Sequence, residues 1–131
     1  GASRLFASIG CVRRVTINGQ RYPNIAPNPI CFYKYGCDTQ FGVWFGFYVH
    51  GQAITFNQIF LTTTLASGYT VSSDVLSDMA SDLIGRMIIP QKMDKYEISS
   101  ATSDAWGIDL TLKRSITLDV GPHWFEVSDG S

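Results

Sequence analysis

Residues 41–64 carry the clearest alternation of hydrophobic positions in the chain. A strand points successive side chains to opposite faces, so each parity of this stretch lines one face. Gly51-Gln52 suits a two-residue type II′ turn, which takes glycine at its first central position. We therefore predict a central hairpin in which Val49 faces Ile54 and Phe47 faces Phe56.

One face of this predicted hairpin has the composition of a protein core. It collects Phe41, Val43, Phe45, Phe47, Val49, Ile54, Phe56 and Phe60, with Gln58 as a polar exception. A one-residue slip would split this set, which favours the register. The other face carries Gly42, Trp44, Gly46 and Tyr48, with Ile59 and Leu61 opposite.

This second face has two interpretations. Aromatic rings beside glycines present flat surfaces to a sugar or an apolar ligand, or to a protein partner. Alternatively, a helix of the same chain covers Trp44 and Tyr48. We favour the helix, and we keep Gly42, Trp44, Gly46 and Tyr48 as the candidate ligand or interface surface.

Other strands are predicted on both sides of this hairpin. Asn18-Gly19 is a strong type I′ turn signal, so Val12–Ile17 should pair with Gln20–Tyr22. Further strands are predicted at 30–35, 95–99 and 123–127, while 88–92 is predicted to be a connector. Residues 106–120 alternate over a long span, and we favour two strands joined near 113–115 because strands rarely exceed about ten residues.

One helix is predicted at about residues 73–87. Hydrophobic residues recur there at helical spacing: Leu76, Met79, Ala80, Leu83, Ile84 and Met87. Ser72 or Ser73 suits the N-cap, and Asp82 is placed to pair with Arg86 four residues on. Asp74, Asp78 and Asp82 follow one helix face at about 6 Å steps, which is too far apart for one cation.

These elements predict an α+β, mostly β fold. We expect seven to nine antiparallel strands in a sheet or sandwich-like arrangement, with the amphipathic helix packed on it. A chain of 131 residues suits a single domain over 1–131. Residues 1–3 read Gly-Ala-Ser rather than beginning with Met, which suggests the hypothesis of a cloning remnant or a processing site.

Composition adds an expectation about partners. Charged residues make up 16% of the chain, against about 25% in typical domains, and aromatic residues make up 13%. Such a surface favours coverage by a protein partner or by self-association, with carbohydrate as a further ligand class. The net charge of −1 disfavours nucleic acid, and no hydrophobic run reaches the roughly 20 residues needed for membrane insertion.

Chemical motifs are weak. Cys11, Cys31 and Cys37 are odd in number, and we favour free, buried thiols over a Cys31–Cys37 or Cys11–Cys37 bridge. Cys37 with His50 or His123 is the available nucleophile and base combination. The spacing of these residues lacks the close pairs of a zinc site, so we expect no metal and no cofactor.

The sequence therefore favours a non-enzymatic binding or assembly module that acts as an oligomer. We expect a viral, phage or cell-surface structural component, and an extracytoplasmic or virion-associated location. Two alternatives stay open at this stage. One is a small Cys–His hydrolase, and the other is a carrier that holds a small apolar ligand or glycan between helix and sheet.

Overall fold

A computed structural model of the protein describes residues 8–26, 31–33, 43–65 and 73–128. It contains nine strands and, within these residues, one helix. In chain order they are β1 Ser8–Ile17, β2 Gln20–Pro23, β3 Cys31–Tyr33, β4 Phe45–Val49, β5 Ile54–Leu65, α1 Ser73–Leu83, β6 Met87–Pro90, β7 Tyr96–Ser103, β8 Gly107–Leu118 and β9 Gly121–Ser128.

The strands form one antiparallel sheet that curls into a nearly closed barrel. Its order is β2-β1-β5-β8-β7-β6-β9-β4, and β3 pairs with β1. The mostly β prediction and the strand number are confirmed, whereas the sheet curves on itself instead of forming a sandwich. β6 lies between β7 and β9, so the connector predicted at 88–92 is wrong.

The predicted central hairpin is also wrong. β4 pairs with β9, with Phe45 opposite Phe125 and Phe47 opposite His123. β5 is occupied along both edges, by β1 and by β8, so it offers β4 no free edge. The Gln52 amide donates to the His50 carbonyl at 3.0 Å, and Gly51 has φ +82°. This bend sends the chain from one side of the barrel to another.

An irregularity in the pairing of β5 with β8 coincides with a change in which β5 residues face inward. The register shifts between Phe56 and Gln58, and the side chains of Asn57 and Gln58 are both exposed. Between the pairs Phe56–Ile116 and Gln58–Thr111, one residue of β5 stands against four of β8, and the inward positions of β5 change parity there. Phe56 is buried before the irregularity, and Ile59 and Leu61 are buried after it. Phe60, which was predicted to be core, is partly exposed on the outer face.

β8 is a single strand of twelve residues rather than two. Its inward side chains are buried, namely Ile108, Leu110, Leu112, Ile116 and Leu118. Residues 113–115 are exposed, and they lie where the register with β5 is irregular. An irregularity of this kind bends a strand without ending it, which explains a strand longer than the usual limit.

Helix α1 is confirmed but ends four residues earlier than predicted. Leu76, Met79, Ala80 and Leu83 are buried, and the helix packs mainly on β7. Gly85 has φ +85°, a left-handed conformation that ends helices. The predicted ion pair forms, with Arg86 Nη2 at 2.8 Å from Asp82 Oδ2, although Arg86 lies beyond the last helical turn. The proposed serine cap involves side chains outside the described set.

Asn24 closes the barrel between β2 and β4. Its Nδ2 donates to the Val12 carbonyl at 3.0 Å, and its Oδ1 accepts from the amides of Ala26 at 2.8 Å and Gly46 at 3.0 Å. The Ile25 amide then donates to the Gly46 carbonyl at 2.8 Å. These bonds satisfy the edge of β4, which would otherwise be open to pairing with another chain.

The interior is hydrophobic, and no polar or charged side chain among the described residues is buried in it. Phe125 stacks between Phe45 and Phe47 with ring centroids 4.7 and 5.3 Å apart, and Tyr22 lies 4.9 Å from Phe47. No helix in the described part of the chain is long and hydrophobic enough to cross a bilayer.

Candidate functional site

A groove of about 750 Å³, here called the Tyr48 groove, runs between the β1–β2 hairpin and the segment that joins β4 to β5. Its walls combine aromatic, aliphatic and amide side chains. They are Ile17, Asn18, Gln20, Arg21, Tyr22, Pro23, Ile25, Tyr48, His50, Gln52, Ala53, Ile54 and Thr55. The volume lies within the range of about 300–1,000 Å³ that is usual for small-molecule sites.

The hairpin side of the groove is fixed by its turn. Asn18 has φ +51° and Gly19 has φ +78°, which are the two positive angles of a type I′ turn. The predicted Asn-Gly hairpin is therefore confirmed, with Ile17 opposite Gln20. Asn18 Nδ2 also donates to the Thr55 carbonyl at 3.1 Å, which ties the turn to the start of β5.

The other side of the groove is built by the end of β4. The ring of Tyr48 is 43% exposed and packs on the His50 ring, with centroids 4.4 Å apart. Across the ladder from Tyr48 lies Pro122, which supports the strand from β9. Tyr48 is therefore an exposed ring held in position by its neighbours.

The sequence placed Trp44 and Tyr48 on one face, but the structure separates them. Trp44 is fully buried, whereas Tyr48 is exposed, so a helix covering both rings is wrong and they do not share a ligand surface. Gly46 is buried, and Trp124 packs so closely on it that a Cβ at this position would lie 2.6 Å from Cδ1 of the indole. The cross-strand indole fills this part of the face, and Gly42 lies outside the described residues.

Within the described residues, the structure does not bring a cysteine and a histidine together as a nucleophile and base. Cys37 lies outside the described residues. His50 stacks on Tyr48, and His123 Nε2 bonds to the Asp119 carbonyl at 2.7 Å. Cys11 is disulfide-bonded, so the prediction of free thiols is wrong at this position. In the β1–β3 ladder, the backbone of Cys11 lies opposite that of Cys31. The part of the chain described here holds no cluster of three or more potential metal ligands.

A second concavity, here called the Trp106 shelf, lies on the outer face of β1 and β5. It has a volume of about 450 Å³ and is lined by Arg14, Thr16, Arg21, Phe60, Thr62, Asp104 and Trp106. The alternation of residues 106–120 gives no signal for this shelf, because it places Trp106 in the same parity as the inward residues Ile108, Leu110 and Leu112. Gly107 was an available clue, since a glycine in a strand often marks the close approach of another backbone, here that of Leu61 and Thr62. Arg21 lines both the shelf and the Tyr48 groove.

Asp109 lies beside the shelf, opposite Phe60 in the ladder. Partial burial raises the pKa of its carboxyl, and the charge of Asp104 raises this pKa further. A raised pKa means that folding favours the protonated form. Stability is then lost as pH rises from the ordinary aspartate value of about 3.8 through the folded-state pKa.

We therefore expect Asp109→Asn to raise the melting temperature at pH 7 by about 1–2 °C, since surface changes rarely exceed about 0.5 kcal/mol. The gain should vanish at pH 3, where the carboxyl is protonated in both states. Thermal melts at the two pH values measure this, with Asp119→Asn as a control for removing an exposed carboxylate. An Asp109→Asn protein no more stable than the wild type at pH 7 would contradict the assignment.

In comparisons with known proteins, the chain matches no family model, no curated protein and no solved structure. Function must therefore be argued from the Tyr48 groove and the Trp106 shelf themselves.

Proposed function

We propose that the protein is a non-enzymatic binding module and that the Tyr48 groove receives a glycan. The observation that carries this proposal is the exposed Tyr48 ring, held in place by His50 inside a preformed groove. A flat aromatic ring packs against the apolar C–H face of a sugar. The rim amides of Asn18, Gln20 and Gln52 carry the donors and acceptors that sugar hydroxyls require.

The mixture of polar and apolar side chains in the groove favours a glycan over a purely apolar ligand. Asn18, Gln52 and Thr55 alternate around the groove with Ile25 and Tyr48. An apolar ligand would separate the Gln52 amide, and the hydrogen-bonding capacity that Asn18 and Thr55 do not use within the protein, from water, which costs binding free energy. A glycan supplies hydroxyls to them and an apolar ring face to the tyrosine.

The disulfide at Cys11 supports a setting outside the cytoplasm. Disulfides persist in oxidising compartments and on cell or particle surfaces, and they are rare in reducing cytosol. Glycans are abundant on the same surfaces. We therefore extend the proposal to a module displayed on the surface of a cell or a viral particle.

Replacing Tyr48 by alanine should weaken glycan binding about tenfold, which corresponds to about 1.4 kcal/mol, without unfolding the protein. A ring that is 43% exposed contributes little to the core, so the melting temperature should stay within a few degrees of the wild-type value. Glycan-array screening followed by calorimetry on the best neutral oligosaccharide measures the effect. Ile84→Ala is the matched control, because Ile84 is 49% exposed and lines neither the groove nor the shelf. Binding that survives in Tyr48→Ala, or an array without any hit, would contradict the proposal.

Self-association is a second candidate function, favoured by exposed apolar side chains near the groove. Ile25 is 41%, Tyr48 43% and Val120 51% exposed. The ladder brings them close together, since Ile25 bonds to Gly46 and Val120 precedes Gly121, the partner of Val49. Light scattering over a concentration series tests this candidate. A dimer that Tyr48→Ala dissociates would support it, and a strict monomer at high concentration would rule it out.

A further inference from the structure

Trp106 projects from a turn that is rigidly built. Its side chain is 73% exposed, which is unusual for so large an apolar group. The Trp106 amide donates to Asp104 Oδ1 at 2.7 Å, and its carbonyl accepts from the Thr63 amide at 3.1 Å. The Asp104 amide donates to the Gly107 carbonyl at 3.1 Å. The backbone that carries the indole is thus already ordered, so little of its entropy is lost when a ligand binds.

The sheet register places two arginines beside this indole. Arg14 lies opposite Thr62, and Arg21 lies opposite Thr16, which is in turn opposite Phe60. The shelf therefore has a floor of threonine hydroxyls and one aromatic ring, with the indole and the guanidinium groups around it. Residues from β1, β2, β5 and the β7–β8 turn contribute together.

The charges on the shelf favour a single anionic group. Arg14 and Arg21 form no ion pair with any residue that the structure describes. Among the described residues, Asp104 is the only carboxylate that lines the shelf, and its Oδ1 already accepts the amides of Trp106 and Gly107. Two guanidinium groups and one carboxylate leave a net formal charge of +1, which a single carboxylate on a ligand would balance.

We propose that the Trp106 shelf is a second subsite, which takes a sugar ring that bears one carboxylate. This inference rests on the proposed glycan-binding function and adds the class of sugar. The indole would pack on the apolar face of the sugar. The guanidinium of Arg14 or Arg21 would bind the carboxylate through two parallel N–H···O bonds, a geometry that arginine provides and lysine does not. Because Arg21 lines both sites, one acidic oligosaccharide reaches both.

Nucleic acid shares this chemistry of aromatic stacking and arginine contacts, but the charges disfavour it. A nucleic acid strand carries one phosphate per nucleotide, and its affinity comes from several cations along the backbone. Asp104 lines the shelf in the turn that carries Trp106, and its carboxylate would repel such a strand. The net charge of the whole chain is −1.

The test compares the acidic probe 3′-sialyllactose, its neutral parent lactose and a single-stranded oligothymidine by calorimetry. Wild-type protein should bind the acidic probe at least about tenfold more tightly than the neutral one. Arg14→Gln should abolish that preference and leave lactose binding at the Tyr48 groove unchanged, because Arg14 lines the shelf but not the groove. Trp106→Leu, which keeps an apolar side chain but removes the flat ring, should also lose the preference.

Each remaining outcome decides between the two proposals. If lactose binds in a Tyr48-dependent way and the acidic probe binds no more tightly, the proposed subsite at the Trp106 shelf is overturned. The proposed glycan-binding function then stands. No binding of either sugar would overturn both. Oligothymidine binding that Arg14→Gln abolishes would overturn the sugar assignment in favour of nucleic acid. Melting curves of Arg14→Gln and Trp106→Leu that match the wild type ensure that binding changes do not arise from unfolding.

Discussion

Replacing Gly107 by alanine is expected to destabilise the protein by about 3 kcal/mol or more, since the new methyl group has nowhere to move. Gly107 is buried where β8 leaves the turn that carries Trp106. An ideal Cβ there would overlap the Leu61 carbonyl oxygen and lie 3.0 Å from the Leu61 carbonyl carbon and 3.1 Å from Thr62 Cα. All three atoms belong to the backbone of β5, so relief requires the strands to separate.

Urea denaturation of Gly107→Ala measures this loss. The matched control is Gly51→Ala, because Gly51 has φ +82° and open space around the position of a Cβ. Its cost should be only the backbone strain of a left-handed conformation, about 1 kcal/mol. A Gly107→Ala protein no less stable than Gly51→Ala would show that β5 and β8 do not approach as closely as described.

Replacing Asn24 by alanine should have the second large effect, a loss of about 3 kcal/mol. The change leaves the Val12 carbonyl and the amides of Ala26 and Gly46 without side-chain partners. Each buried group left unsatisfied costs about 1–3 kcal/mol, and water can reach part of this half-buried site. The barrel would open between β2 and β4, so binding at the Tyr48 groove should fall as well.

Two comparisons make the Asn24 experiment specific. Asn24→Asp keeps an oxygen for the amides of Ala26 and Gly46 but loses the donor to Val12, so its loss should be intermediate. Gln52→Ala removes an exposed amide and should leave the free energy of unfolding nearly unchanged. Thermal or urea unfolding of the three variants gives the order of their stabilities. Equal stability of Asn24→Ala and Gln52→Ala would contradict the role of Asn24 in closing the barrel.

Local signals in the sequence predicted local structure well. The Asn18-Gly19 turn, the stripe of helix α1 and the inward alternation of Phe45, Phe47 and Val49 are all confirmed. Each depends on residues close together in the chain, where backbone angles and periodicity act directly.

Strand partners could not be predicted in the same way. Alternation shows that Phe47 points inward, but it does not distinguish Phe56 from His123 as its cross-strand neighbour. Pairing β4 with β9 joins residues more than seventy positions apart, and only the packing of the whole barrel selects it. The irregular pairing of β5 with β8 left one signal in the sequence, since Gln58 was the single polar residue among the hydrophobic positions of that face. A polar residue at one of the hydrophobic positions of a strand can mark the point where the other set of alternate residues begins to face inward.

The candidate site was predicted only in part. Tyr48 was identified from its aromatic and glycine-rich surroundings, although its companion Trp44 is buried. The shelf depends on Arg14, Arg21 and Trp106, which the β1–β5–β8 register brings together from distant parts of the chain. Arg14 and Arg21 lie close together in the sequence, but nothing local links them to the tryptophan.

A titration followed by NMR tests the central claim most directly, namely that one acidic glycan binds across both sites. The probe is 3′-sialyllactose added to ¹⁵N-labelled protein, with lactose as the neutral control. We predict saturating shifts of the Trp106 indole N–H and of the backbone amides of Tyr48, His50 and Gln52, all with one dissociation constant. Lactose should shift the amides at Tyr48 and leave the Trp106 indole unmoved. Saturating shifts confined to other surfaces, or none with either sugar, would contradict the account.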